Sequence, residues 1–350
     1  MATMMPTQHR HRSSAEYPLR QEDTDAIVRV AAYHRRDYDL AVIWFSPREH
    51  ANIRLSIMTP FQRNSNSGLG SLDRLPLELL RNILLQLDMS SLFKFRQTNL
   101  PSRQTVDFLM EHRMVVSHGL NLFCALLRTR LGSRIPLLDF HRVLCTKTCA
   151  VCGEFGGFVY LLTWTRCCFK CLRYSAELRV EYLDPSQERL YLAKAKSVRP
   201  VTFKTLPGTY SMNQSECESR FTIISARQAT IPPRPPLPGC PLAFPRPDPS
   251  IMLNFMASCA LPYYDKRTGN IERGVSCAGC QLALEKGIIG PRPERWVFAG
   301  PDKIYAIDGY LEHFRWCEQS QLLWESSECG SRRPTGLPGV AQRGGYFKER

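Results

Sequence analysis

An α+β fold is predicted for this 350-residue chain: a three-helix segment in the first third, then helical and small α+β regions gathered around cysteines. Three observations carry the expectation. Residues 75–87 hold a dense leucine run at helical spacing, and residues 147–171, KTCAVCGEFGGFVYLLTWTRCCFKC, bracket an aromatic, glycine-rich middle with two C-x2-C pairs. Residues 231–249, IPPRPPLPGCPLAFPRPDP, are too proline-rich for a helix or central strand, because each proline removes a backbone donor and fixes φ. That run reads as a semi-rigid linker separating two halves, although its P-x-x-P spacing also suits an SH3-type ligand.

Residues 1–70 are the least legible part and read as an N-terminal extension. NSNSGLG at 64–70 is small and polar, so a boundary is expected near residue 70. Within 71–113, Pro76 suits a first helical turn, where its missing N–H has no intrahelical partner, and Glu78 suits the positive end of the helix dipole. A helix is therefore expected from about Pro76. Leu75, Leu77, Leu79, Leu80, Ile83, Leu84, Leu85 and Leu87 spread around nearly its whole circumference, whereas one core contact needs a stripe only ~100° wide. Something else must cover the second face. Asp88 and Ser90 offer caps before a second helix with Leu92, Phe93 and Phe95. The turn NLP at 99–101 precedes a third with Val106, Leu109 and Met110 at i, i+3, i+4 spacing. Helices this short bury little surface alone, so a partner or the following domain must complete the core.

The order L-P-x-E-L-L-x-x-I-L-x-x-L from Leu75 to Leu87, followed by Leu92 and FRQTN, resembles an F-box. The resemblance implies a module that docks on the Skp adaptor of a cullin-RING ubiquitin ligase while the rest of the chain presents a substrate. Leu75, Pro76, Leu79, Ile83, Leu84, Leu87 and Leu92 are then its core and adaptor-binding residues.

The N-terminal MATMMPTQHRHRSSAEYPLR lacks an apolar signal region, and no stretch approaches the ~20 apolar residues of a membrane helix. The expected location is cytoplasmic or nuclear, where structural disulfides are rare, so fourteen cysteines point to metal. Cys149, Cys152, Cys168 and Cys171 read C-x2-C-x15-C-x2-C: each tight turn directs two sulfurs at one ion, and two turns complete a tetrahedron. Gly153 tolerates the positive φ such a turn requires. Phe155, Phe158, Val159, Tyr160, Leu161 and Leu162 favour strands over the turns. Zn2+ is the default ion for four thiolates. Cys167, or Cys145 with His141, are rival ligands, read here as packing residues. CAVCGEFGGFVYLLTWTRCCFKCL also resembles the cysteine-rich segment after the F-box in a group of fungal F-box proteins, with Arg166, Cys168, Phe169 and Cys171 at matching positions and LPGTY at 206–210 as a later element.

Beyond the prolines, Cys277, Cys280, His313 and Cys317 form a second candidate centre, with His313 and Cys317 on one face of a helix running from about Gly309 through Trp324. RWVF (295–298) and KIYAI (303–307) are expected as short strands around the turn GPDK. Interleaving of the two C-x2-C sets stays open. The expected organisation is thus a 1–70 extension, a 71–113 helical module, a 114–230 helical and four-cysteine region, the 231–249 linker, a 250–328 second metal region and a flexible tail at 329–350. No solenoid or propeller repeat is visible.

The net charge of +14 admits nucleic acid as a competing partner, but 46 Lys and Arg residues are scattered among 32 acidic ones with no basic block. The sequence contains no G-x-S-x-G, H-E-x-x-H or phosphate-binding G-x-x-x-x-G-K-[ST], and both metal candidates already have four protein ligands. A catalytic zinc keeps a position open for water. The expectation is a non-catalytic substrate receptor acting through the Skp adaptor and cullin scaffold, and the alternative is a zinc-dependent nucleic-acid or transcription-associated binder.

Overall fold

The computed structural model describes residues 12–49, 51–58, 68–184, 200–228, 249–288 and 300–347. They form two compact units. One is Asp39–Ile271; the other joins the residues up to Tyr38 with those from Glu272 onward.

In chain order, α1 (Thr24–Ala31), β1 (Ala32–Tyr33), α2 (Arg36–Leu40) and α3 (Ala51–Met58) come first. The leucine run then forms α4 (Leu77–Gln86), with Pro76 at its N-cap. α5 (Met89–Arg96) is capped by Asp88, whose Oδ1 accepts from the Ser91 amide at 2.9 Å. α6 (Leu100–Phe108) is capped by Asn99 in the same way, from the Ser102 amide at 2.9 Å. The expected third helix is broken: Leu109 is extended, and Met110 opens the long α7 (Met110–Thr129). Next come α8 (Leu137–Leu144), β2 (Phe158–Tyr160), β3 (Thr165–Cys167) and α9 (Phe169–Tyr174). The strands β4 (Val180–Leu183), β5 (Thr202–Lys204), β6 (Gly208–Tyr210), β7 (Ser215–Cys217) and β8 (Thr222–Ser225) follow. After α10 (Pro249–Met256) come β9 (Ser258–Ala260), β10 (Tyr263–Tyr264), β11 (Ile271–Glu272) and β12 (Ser276–Cys277). Among the described residues that follow are the helices α11 (Ala278–Glu285), α12 (Ile307–Phe314), α13 (Glu318–Ser326) and α14 (Gly339–Arg343).

In the central unit, α4 buries Leu80, Leu84 and Leu85. α8 packs against it, and the chain around its start pairs with the chain after α4: the Met89 amide donates to Ile135 O at 2.9 Å and the Leu137 amide to Leu87 O at 3.0 Å. Buried Arg96 donates to both Asp107 oxygens at 2.7 and 3.0 Å, and to the Ser56 and Ile57 carbonyls at 3.2 Å. A buried guanidinium is tolerable only when paired and hydrogen-bonded, and here it ties α5 and α6 to α3. Residues 51–58 therefore pack with the helical module instead of standing apart from it. Residues 64–67 of the expected linker lie outside the described residues.

The proline-rich run does not separate two folding units. Strand order β3-β2-β9 places Ser258–Ala260 antiparallel beside Phe158–Tyr160, with Val159 opposite Cys259. β2 is buried along its whole length, and such a strand leaves no edge of its backbone unpaired without cost. The Asn254 side chain completes the join, accepting from the Val180 amide and donating to Leu172 O, both at 2.9 Å. Residues 231–248 themselves lie outside the described residues. A second sheet, β4-β8-β5, and the β6-β7 hairpin belong to this same unit.

The terminal unit corrects further expectations. The leading segment supplies core: Ile27, Val30 and Ala31 of α1 are buried with Tyr310, Phe314, Leu323 and Trp324. Within the expected 329–350 tail, the described residues to 347 are not loose, since Val340 and Ala341 of α14 enter that core. Buried Arg35 binds both Asp37 oxygens at 2.8 Å and also pairs with Asp302, while Asp37 accepts from the Tyr346 amide at 3.0 Å. One helix from Gly309 to Trp324 is replaced by α12 and α13, with Cys317 extended between them. The backbone there is engaged elsewhere, by an antiparallel bridge between Cys317 and Arg12. KIYAI contributes a single bridge, Tyr305 to Val275; RWVF lies outside the described residues.

Candidate metal centres and an exposed helix face

The first cluster gathers Cys149, Cys152, Cys168 and Cys171, with one sulfur from each and all within 4.8 Å of one another. Its first turn closes through the Gly153 amide to Cys149 O at 2.9 Å, and Gly153 adopts φ +77°, a left-handed conformation that disfavours a side chain. Its second turn makes Cys168 the N-cap of α9, where the sulfur accepts from the Cys171 amide at 3.4 Å. The β2-β3 hairpin, with Phe158 opposite Cys167 and Val159 opposite Arg166, brings the two turns together.

Arg166 holds this scaffold from inside. Its guanidinium donates to the carbonyls of Gly156 at 2.5 Å, Val143 at 3.0 Å and Leu261 at 2.7 Å. Burial pulls its pKa down to about 10, so it stays charged at neutral pH.

The Cys152 and Cys168 sulfurs are 3.6 Å apart. Four ligands about 2.3 Å from one ion in a tetrahedron stand roughly 3.8 Å from each other, so the spacing fits a bound cation. The charge balance agrees. The Cys168 thiol bonded to Cys149 draws Cys149 down to about 4; the same bond pushes Cys168 far up, and burial raises Cys171 to about 12. Four thiolates this close repel one another, and only a cation permits all of them to ionise together. Of the rival ligands, Cys167 is buried in the core, and Cys145 and His141 face each other at 3.7 Å; none of the three belongs to the cluster.

The second cluster gathers Cys277, Cys280, His313 and Cys317 within the same 4.8 Å limit. Its first turn repeats the knuckle, with Cys277 as N-cap of α11 and its sulfur accepting from the Cys280 amide at 3.3 Å. The Cys280 sulfur lies 3.2 Å from His313 Nε2 and 4.0 Å from the Cys317 sulfur, which lies 3.7 Å from Cys277. The Tyr305 hydroxyl is 3.4 Å from His313 Nδ1 and its ring stacks on the imidazole, leaving Nε2 aimed at the sulfurs. Although burial opposes it, bonds from Cys280, Cys317 and His313 draw Cys277 well below the usual thiol range; bonding to Cys277 raises Cys280 and Cys317. Gly279 permits the close packing: a Cβ there would sit 2.2 Å from the Ser320 amide nitrogen of α13. Ala32 pairs with Cys277 and Arg12 bridges Cys317, so the leading segment flanks two of the four ligands. The first cluster joins two C-x2-C pairs and the second joins one such pair with His313 and Cys317, without interleaving of 149/152/168/171 with 277/280/313/317.

The helical module exposes a different kind of surface. On α4, Leu79 is 51% and Ile83 46% exposed, Pro76 is exposed, and Leu75 and Leu87 are half-buried. Leu84 and Leu92 point inward and are almost fully buried, so they hold the helices together and cannot also face a partner. Three residues outside the expected set are strongly exposed: Leu77 at 71%, Phe108 at 83% and Met110 at 50%. Leu77 was visible in the leucine run and Met110 in the apolar set of the third helix; Phe108 became apparent only with the break at Leu109.

Residues 72–112 match the F-box domain family, and an F-box domain is a non-catalytic, adaptor-type module. No curated protein and no solved structure matches the chain. Among the described residues, no helix is long and apolar enough to cross a membrane.

Proposed function

We propose that this chain is a substrate-recruiting subunit of a Skp-cullin-F-box ubiquitin ligase. The observation that carries the reading is the outer face of α4. Leu79 and Ile83, one turn apart, stay exposed after the chain's own α8 has taken the inner face, and Leu77 is exposed at the helix's first turn, within a segment that matches the F-box domain. A half-buried rim of Leu75 and Leu87 with exposed Pro76 extends it, and Phe108 and Met110 supply further apolar contact. Burying such side chains stabilises a complex by ~25 cal/mol per Å2 of apolar surface before the costs of association are subtracted. The Skp adaptor is the occupant this face would take, with the cullin scaffold reached through it. The remaining surface of the chain would present a protein substrate.

Both centres would hold structural Zn2+. Cys149, Cys152, Cys168 and Cys171 would hold one ion, and Cys277, Cys280, His313 and Cys317 the other; thiolate and imidazole donors at tetrahedral spacing suit zinc. The ion would supply positive charge that lets the clustered thiolates coexist, and it would fasten the turns. Four protein donors at each leave no position for a reacting water.

Co-purification with the Skp adaptor from reducing, zinc-replete buffer tests the function. Adaptor retained in stoichiometric amount is expected. A folded chain that retains none, yet binds one nucleic-acid sequence in physiological salt, would replace this reading with the nucleic-acid one.

A further inference from the structure

The two clusters differ in how far their ligands reach solvent. In the first, Cys152 is exposed while Cys149, Cys168 and Cys171 are buried. In the second, Cys277, Cys280 and Cys317 are all at most 1% exposed and only His313 is half-buried. Susceptibility to oxidants grows with exposure, and among the clustered cysteines Cys152 alone is exposed, so an oxidant in solvent reaches it first. Cys329 is also exposed but belongs to neither cluster. A resolving partner is in place, because the Cys168 sulfur stands 3.6 Å from that of Cys152.

We propose that Cys152 is an oxidation site for hydrogen peroxide and small hydroperoxides, and that its capture by Cys168 opens the first centre; the inference rests on the zinc occupancy proposed above. The Cys152 thiolate attacks one peroxide oxygen. The O–O bond breaks, a sulfenic acid forms, and hydroxide (or alkoxide from a hydroperoxide) leaves. The Cys168 thiolate then attacks the sulfenic sulfur, so that an S–S bond forms, the S–O bond breaks and a second hydroxide leaves. Two electrons pass from the two sulfurs to one peroxide. Cys149 and Cys171 would remain as the two donors, too few to hold a structural ion. The β2-β3 hairpin then loses its metal fastening within the unit that also carries the F-box helices, and thiol reductants with fresh zinc restore it.

The test uses the full chain and begins with metal content before any oxidant. Hydrogen peroxide is then added, release is followed with a chromogenic chelator, and thiols are mapped by mass spectrometry after trapping. One ion is expected to leave at least about tenfold faster than the other, with a Cys152–Cys168 cross-link and with Cys277, Cys280 and Cys317 trapped in reduced form. Cys152→His keeps a fourth donor without an oxidisable sulfur, and it is expected to retain both ions through the treatment. Equal release from both centres, or oxidation that begins at Cys277, Cys280 or Cys317, would overturn the proposal. So would release from Cys152→His at the wild-type rate; if that variant does not load the first centre, the wild-type cross-link map decides alone. An untreated chain without zinc in the first centre instead removes the metal reading, and the proposal with it.

Discussion

Two buried charged or titratable side chains separate what residues do for the fold from what they do for the site. Among the described residues, the hydrogen-bond partners of Arg166 are three main-chain carbonyls from three segments. Arg166→Met takes the donor from the Gly156 and Leu261 carbonyls, while Val143 O keeps the Thr146 amide at 3.1 Å; at ~1–3 kcal/mol per orphaned acceptor the expected loss is about 2 kcal/mol or more, read as a lowered unfolding midpoint. His112 behaves differently. Burial is the main cause that holds its pKa at about 4, with Arg96 adding to the effect and Asp107 opposing it. Its folded value lies below the ordinary ~6.5, so the unfolded chain takes up the proton first. Stability from this group is complete above pH ~6.5 and falls as the pH drops toward 4, by up to about 3 kcal/mol. Denaturation across that window should show a shallower decline for His112→Gln than for wild type; parallel curves would place the acid sensitivity elsewhere. At the metal sites, losing Cys149 and Cys152 together should lower the zinc found by elemental analysis by about one ion per chain. Unchanged zinc in that double variant would mean that other side chains hold the ion. Six of the eight clustered residues were legible because C-x2-C turns carry their geometry locally; His313 and Cys317 were read from one shared helix, which the structure ends at Phe314. The Arg166 carbonyl contacts were not, because Val143 and Leu261 approach it only in the folded chain.

Helix α4 shows how far periodicity reaches. Eight apolar residues between Leu75 and Leu87 said that both faces must be covered, but not which residue belongs to which face. Leu84 turned out to lie in the core, as did Leu92 of α5. Leu84→Ala should therefore cost ~2–5 kcal/mol as a core truncation, lowering the unfolding midpoint whether or not a partner is present. Caps at Asp88 and turns at Asn99 were readable because Ser, Asp and Asn satisfy orphan amides locally. The break at Leu109 and the split between α12 and α13 were not readable. Both depend on distant packing: at the second, Cys317 is held extended by a bridge to Arg12, near the opposite end of the chain.

For the molecule as a whole, chain order misled where chain topology decides. Proline content marked 231–249 as a divider, yet β9 completes the β2-β3 sheet from beyond it, and the two ends of the chain build one unit together. The amphipathic i, i+3, i+4 set Ile27, Val30 and Ala31 was available as a clue that the leading segment folds, but nothing local names Tyr310, Phe314 or Trp324 as its core neighbours. Removing residues 1–31 should consequently loosen the second metal centre; its zinc should pass to a chelator sooner than in the full chain, while the first centre's zinc keeps its wild-type rate. Equal retention in the shortened chain would show that α1 is dispensable to that centre. The central claim concerns the outer face of α4, and calorimetric titration of the full chain with the Skp adaptor tests it most directly when wild type is set beside Leu79→Asp/Ile83→Asp. Both substituted positions are about half exposed, so circular dichroism and zinc content should not change. The account predicts tight binding by wild type and at least a hundredfold weaker binding by the double variant, about 3 kcal/mol; equal affinity, or no binding by folded wild type, would contradict it.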